Sequence, residues 1–163
     1  MKTLQDLFEN QIKDLFSAET QLIAALPKMT EKAKDKRLKQ AFENHLEETK
    51  EQKSRIENIC RELNISPSGE VCLAMEGLIK EAKHFMEEAK SDEVMDAGLI
   101  AEAQRVEHYE ISGYGTAVRF AKELGHLDIA KMLQETLNEE YDADNALDKL
   151  AENRLNKKAI ADG

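Results

Sequence analysis

The chain has no tryptophan, only two prolines, seven glycines and two cysteines in 163 residues, and aromatics make up 5% of it. With so few breakers and turn formers, the many short strands and Gly/Pro-rich turns of a sandwich or barrel are excluded. Cys60 and Cys72 are isolated and fit neither a zinc spacing nor a disulfide framework, so they read as small core residues in a reducing compartment. No apolar run approaches the ~18 residues of a membrane span. Met1-Lys2-Thr3-Leu4 opens directly into an amphipathic pattern without the features of a signal peptide, so a cytoplasmic protein with no membrane partner is expected. Positive charge is also short. Against 33 acidic residues stand 23 Lys and Arg, a net charge of −10, which argues against nucleic acid as a partner. No nucleophilic triad, phosphate loop or thiolate cluster is visible.

What fills the chain is Ala, Leu, Glu and Lys, all strong helix formers. The predicted fold class is all-α, in one domain over 1–163, with helices at about 4–34, 36–64, 70–90, 92–124 and 127–156. Thr3 with Asp6 makes a capping-box start, and Pro27 inside the first helix predicts a kink or local break. Ile65-Ser66-Pro67-Ser68-Gly69 is the clearest linker, and Gly125 signals a helix end. The shorter third helix presents Val71, Ala74, Met75, Leu78, Ala82, Phe85 and Met86 on one side. His84 reads as a surface residue, and His126 as a turn or capping residue. Beyond Lys157 the tail is expected to fray.

The four long helices share an anomaly: polar residues on the apolar stripe near mid-helix. The first stripe is Phe8, Ile12, Leu15, Glu19, Leu22 and Leu26. The second runs Leu38, Ala41 with Phe42, His45, Glu48, Gln52, Ile56, Ile59 and Leu63. The fourth is Leu99, Ala103, Val106, Glu110, Gly113, Ala117, Phe120 and Leu124, with Glu107 at its border. The last is Leu133, Leu137, Glu140, Asp144, Leu147, Ala151 and Leu155. In two antiparallel hairpins with turns near residues 34 and 125, Glu19 sits level with Glu48, and Glu107 or Glu110 level with Glu140. Four to six carboxylates then meet in one slab of the core, which must be neutralised by protons or divalent cations. Carboxylates from four helices joined by a long crossover are the arrangement of di-iron and di-manganese bundles. A second reading stays open, a buried polar network with Arg105, Gln52, Gln104 and Tyr109 that only sets helix register.

The segments Asp14-Leu15-Phe16-Ser17-Ala18-Glu19, His45-Leu46-Glu47-Glu48-Thr49, Ala74-Met75-Glu76-Gly77-Leu78-Ile79 and Ala103 through Ile111 resemble the YciF-type bacterial stress proteins, as do Tyr114-Gly115-Thr116 and Leu137-Asn138-Glu139-Glu140. That family lies in the ferritin-like, rubrerythrin-related superfamily. The resemblance covers essentially the whole chain. It implies a ferritin-like antiparallel four-helix bundle with one extra short helix on a long crossover, a homodimer and a candidate dinuclear metal site.

One departure bears on the chemistry. Typical di-iron bundles carry Glu-x-x-His on two helices. Here Glu48 is followed at that spacing by Glu51, and Glu140 by Ala143. An oxygen-rich donor set favours Fe, Mn or Mg. The expected ligands are Glu48 and Glu140 as bridges, Glu19 and Glu107 at one ion each, and Gln52, Glu110 and Asp144 completing the set. His45 and His108 are expected to support these ligands from outside. The functional expectation is a stress-associated protein with a dinuclear Fe or Mn site that reduces oxygen or peroxide. The alternative is a non-enzymatic bundle whose metal site is structural or vestigial. Storage in a ferritin-like shell with DNA contact is opposed by the acidic charge.

Overall fold

Three of the four long helices start where a short polar side chain caps them, the last being the exception. The Asp6 amide donates to Thr3 Oγ1 (3.0 Å) and Thr3's amide donates back to Asp6 Oδ2 (3.1 Å), opening α1 at Leu4–Lys32. Asp35 accepts from the Arg37 amide (2.8 Å) and opens α2, Lys36–Leu63. Ser91 accepts from Val94 (3.2 Å) at the head of α4, Asp92–Glu123. The short α3 is Leu73–Glu88, and α5 is Leu127–Leu150. This computed structural model describes residues 1–161, and among them there is no strand.

The fold is an all-α bundle. Hairpin α1–α2 packs against hairpin α4–α5, so that α1 borders α2 and α4, and α5 borders α2 and α4. The crossover carries α3 along α4 and α1. Gly98 admits this helix, because a Cβ there would overlap the Phe85 ring. Asn64, at φ 54°, stops α2, and Gly125, at φ 78°, stops α4. At the second stop the His126 amide reaches back to the Ala121 carbonyl (2.9 Å) and the Gly125 amide to Lys122 (3.1 Å), a Schellman closure.

Several local expectations change. Pro27 does not interrupt α1, which runs through it; Pro27 is exposed, where a freed carbonyl can meet water. The third helix begins three residues later than expected, behind the buried Cys72, leaving Val71 before it and exposed; Ala74 is exposed as well. The last helix does not stay α-helical to residue 156. A π-helical turn, Ala151–Leu155, follows α5 and leads into α6, Asn156–Ala161, where fraying was expected. In an unbroken α-helix Leu147 and Leu155 would lie about 80° apart; the wider turn narrows that angle and both side chains enter one core cluster. Residues 162 and 163 of the expected tail lie outside the described residues. Both cysteines are buried and free, and burial raises both thiols above their ordinary pKa.

The apolar core is split in two along the bundle. One cluster joins Phe8, Ile12 and Leu15 of α1 to Ile56 and Ile59 of α2, Tyr114 and Ala117 of α4, and Leu133 and Leu137 of α5. The other joins Leu22, Leu26, Leu38, Phe42, Leu99, Val106 and Leu147. On every long helix the switch between clusters falls at its polar residues.

The turn between α1 and α2 is fastened from outside the hairpin. Asp96 of α4, buried, accepts from the Lys34 amide at 2.7 Å and the Asp35 amide at 2.8 Å. Charge-assisted bonds of this kind contribute about 1.5–3 kcal/mol each when buried. Asp96→Ala is expected to cost about 2 kcal/mol, since water can reach the freed turn amides. Urea unfolding should show a lower midpoint with an unchanged slope.

Candidate metal centre

At the boundary between the two apolar clusters stand His45 from α2, Glu107 and Glu110 from α4, and Glu140 from α5. Each is buried, and each can direct one ligand atom so that all lie within 4.8 Å of one another. His45 Nε2 is 3.2 Å from Glu107 Oε1. Glu19 of α1 completes the slab. It is fully buried and accepts a hydrogen bond from the Tyr114 hydroxyl. Tyr114 is itself fully buried, one turn beyond Glu110.

These carboxylates lack the partners that buried charges require. Oε2 of Glu19 and of Glu107, and both oxygens of Glu110 and of Glu140, are buried with no hydrogen-bond partner. Burial is the main cause that pushes all four carboxyls up from the ordinary glutamate range, and mutual repulsion adds to it. Glu140 acts on Glu19 and Glu107, and Glu19 acts on Glu110. For Glu140, the nearby His45 opposes the rise. Burial, and then the Glu19 charge, likewise hold the Tyr114 phenol in its protonated, donating form.

The remaining sequence-expected residues are placed differently. Glu48 lies at the outer edge, 48% exposed, with Oε2 3.9 Å from His45 Nδ1. The reason is helix phase. Phe42 to His45 is a step of three, so the next inward residue comes four later, at Thr49, and then at Gln52. Thr49 is fully buried, with its hydroxyl donated to the His45 carbonyl (2.7 Å). Gln52 is fully buried, donates through Nε2 to Glu139 Oε2 (3.1 Å), and leaves Oε1 without a partner. Asp144 sits at the rim, accepting from Gln104 Nε2 (3.2 Å) and facing His108 Nε2 (3.3 Å). His108 is exposed there, while His45 stands inside the cluster and not behind it.

The alternative register network loses most of its members. Arg105 is exposed and paired with Glu102. Gln104 serves Asp144. Tyr109 donates to Asp14 Oδ2 (2.5 Å) and lies 2.9 Å from Cys72 Sγ. A structural clamp that sequence reasoning missed lies beside the slab. Arg55 grips Glu139 with two bonds (2.9 and 3.1 Å) and Thr136 with a third (2.5 Å), tying α2 to α5. Its signal was present, since Arg55 follows Gln52 by three residues and so lies on nearly the same face. Tyr114 was equally legible, one heptad after Glu107 and one turn after Glu110.

An acid whose folded-state pKa is raised stabilises the fold below its unfolded pKa, and that contribution is lost as pH rises toward the folded pKa. Metal-free protein is therefore expected to be most stable near pH 5 and to weaken toward pH 8. The slope can reach about 1.4 kcal/mol per pH unit for each proton retained by the fold. Glu110→Gln should flatten the slope and raise the pH 8 urea midpoint. Stability that rises from pH 5 to 8 would contradict the unpartnered slab.

Comparison with known proteins agrees with the architecture. A protein-family profile described as a domain of unknown function, DUF892, matches residues 3–160. The Escherichia coli K12 protein YciF is 48% identical over 160 residues, covering 98% of this chain and 96% of that protein. The crystal structure of the E. coli stress protein YciF superposes with a TM-score of 0.92 at 47% identity, covering 96% of this chain and 99% of the other. A Rhodopseudomonas palustris protein, YcfI, superposes with a TM-score of 0.89 at 44% identity, covering 91% and 94%. A Xanthomonas campestris protein at 19% identity shares the fold, with a TM-score of 0.73. The profile match along nearly the whole chain, with such relatives beside it, establishes that this protein belongs to the DUF892 family as a YciF-type member.

Proposed function

We propose that the protein is a metal-binding, ferritin-like stress protein whose buried centre holds two divalent ions, Fe or Mn, and reduces oxygen or peroxide. One observation carries the metal reading: four helices bring unpartnered carboxylates and an imidazole together between two apolar clusters of the core. Glu19, Glu107, Glu110 and Glu140 together carry four negative charges when ionised, which two divalent cations balance. Carboxylate oxygens with one imidazole suit Fe and Mn. His45, Glu107, Glu110 and Glu140 would hold the ions, with Glu19 held toward them by Tyr114. Gln52 Oε1 is a further free acceptor. Redox-active ions at this position would supply the electrons that oxygen or peroxide reduction needs. The chain's part is to exclude water, fix the ligands and keep a protonated phenol beside Glu19.

A second, non-enzymatic reading has its own support. On α2 the outward Glu48 and the neutral Gln52 leave no carboxylate facing the slab, and a bundle with fewer charged ligands can retain an ion for structure alone. The two readings part on a rate. Protein purified without chelator or affinity metal is expected to carry close to two ions per chain, with Glu107→Ala and Glu140→Ala losing them and Glu48→Ala retaining them. Iron-loaded protein should then consume peroxide faster than metal-free protein. Metal without any rate selects the structural reading, and no metal in the unaltered protein removes both.

Among the described residues no helix is long and apolar enough to cross a membrane, in keeping with the cytoplasmic placement we propose. The homodimer implied by the resemblance is also retained. Val71 (64% exposed) and Leu73 (74% exposed) offer apolar surface to a second copy at the head of α3. Light scattering on size-exclusion eluate should give twice the 18.5 kDa chain mass, and Leu73→Glu should lower it to one.

A further inference from the structure

Between α2 and α5 the helix seam is held open by small side chains, Ala41 on one helix and Ala143 and Ala146 on the other. The opening leads to a cavity of about 160 Å³, walled inside by Leu22, Leu26, Phe42, Val106 and Leu147. At its inner end this apolar lining is broken by His45 and Glu107. Both are more than nine-tenths buried, at 6% and 2% exposure. His45 Nδ1 and Nε2 and Glu107 Oε2 have no hydrogen-bond partner. The cavity thus has a greasy body and a polar end in need of partners. A second hollow, about 260 Å³ between α1, α3 and α4, lacks such an end; its polar lining is the exposed Lys28 and Lys83.

Size and charge select the occupant. A single water needs roughly 10–15 Å³ on a comparable measure, and a dry apolar cavity of about 150 Å³ holds a benzene. The space therefore far exceeds the needs of dioxygen or hydrogen peroxide, and its lining gives bulk water few partners. The mouth carries the exposed carboxylates of Glu48 and Asp142, which repel an anionic head group. A neutral imidazole presents one donor and one acceptor, which a hydroxyl can satisfy at either nitrogen and an ammonium, donor only, cannot. We propose that this cavity binds a small neutral organic molecule, with an apolar body about the size of one benzene ring and a single hydroxyl-type head that hydrogen-bonds to His45 and Glu107. The inference goes beyond the metal reading and concerns the metal-free protein, since an ion held by His45 and Glu107 competes with the hydroxyl head for the same atoms.

The test uses metal-free, full-length protein and four probes of one body size, phenol, toluene, benzoate and benzylamine, titrated by calorimetry and by amide NMR shifts. Phenol is expected to bind at one saturable site, at least tenfold tighter than benzoate and measurably tighter than toluene. Ala143→Leu and Ala41→Leu fill the seam from opposite helices, and each should weaken phenol at least tenfold with unchanged helical circular dichroism. His45→Phe should abolish the preference for phenol over toluene. The proposal is overturned if phenol does not saturate, if both filled variants bind it as before, or if benzoate or benzylamine binds as tightly as phenol. The comparison among probes on unaltered protein decides the question even where a variant fails to fold.

Discussion

Four carboxyl groups and an imidazole meet in the middle of a bundle whose interior is otherwise mostly apolar, and the design of the molecule turns on how that charge is held. Packing alone would place leucine at these positions. Burial raises each acid toward its neutral form, and the Glu140 charge raises Glu19 and Glu107 further. A slab of this kind opposes folding at neutral pH unless protons or cations compensate it. The two apolar clusters on either side supply the stabilisation that lets it persist, and they leave it water-poor, where any bound cation would be felt most strongly.

The structure around the slab acts to keep it in place. Asp96 fastens the α1–α2 turn to α4, coupling the two hairpins at one end. Arg55 clamps α2 to α5 beside the acids through Glu139, whose other contact orients Gln52. Tyr114 fixes one oxygen of Glu19 and leaves the second free. Arg55 and Tyr114 hold geometry at the polar layer with strong hydrogen bonds, Asp96 does so at the end of the bundle, and ordinary van der Waals packing serves most of the rest. The seam between α2 and α5 is the exception. There alanines leave a gap, and the gap reaches His45 and Glu107, so the layer has one apolar approach.

Much of this was legible in the sequence because helix periodicity is a strong signal over four long helices. On α1 every residue of the expected stripe, from Phe8 through Glu19 to Leu26, is buried. On α2 the reading slipped by one residue at Glu48. The segment is polar on both faces, so hydrophobicity could not choose between a step of three and a step of four after His45, and Thr49 took the inward place. His45 was expected on the inward stripe but as a support for the ligands, and with Glu48 turned outward it stands among them. The π-helical turn at Ala151–Leu155 has no breaker to announce it; it follows from bringing Leu155 onto the Leu147 side of the core. Asp96 was hidden for another reason, and of Arg55 only its place beside Gln52 was legible. Their partners lie in distant parts of the chain, a turn for Asp96 and α5 for Arg55, and one sequence does not reveal which distant backbone or side chain will face them.

We propose the buried acids as a cation site and not as a protonated register device. Anomalous diffraction at the iron and manganese edges, from crystals grown with the metal near neutral pH, tests it most directly. Anomalous peaks are expected within ligand distance of Glu107, Glu110, Glu140 and the His45 imidazole, with Glu19 turned toward them. Crystals saturated with either metal that show no peak there, and carboxyls paired with one another through shared protons, would contradict it.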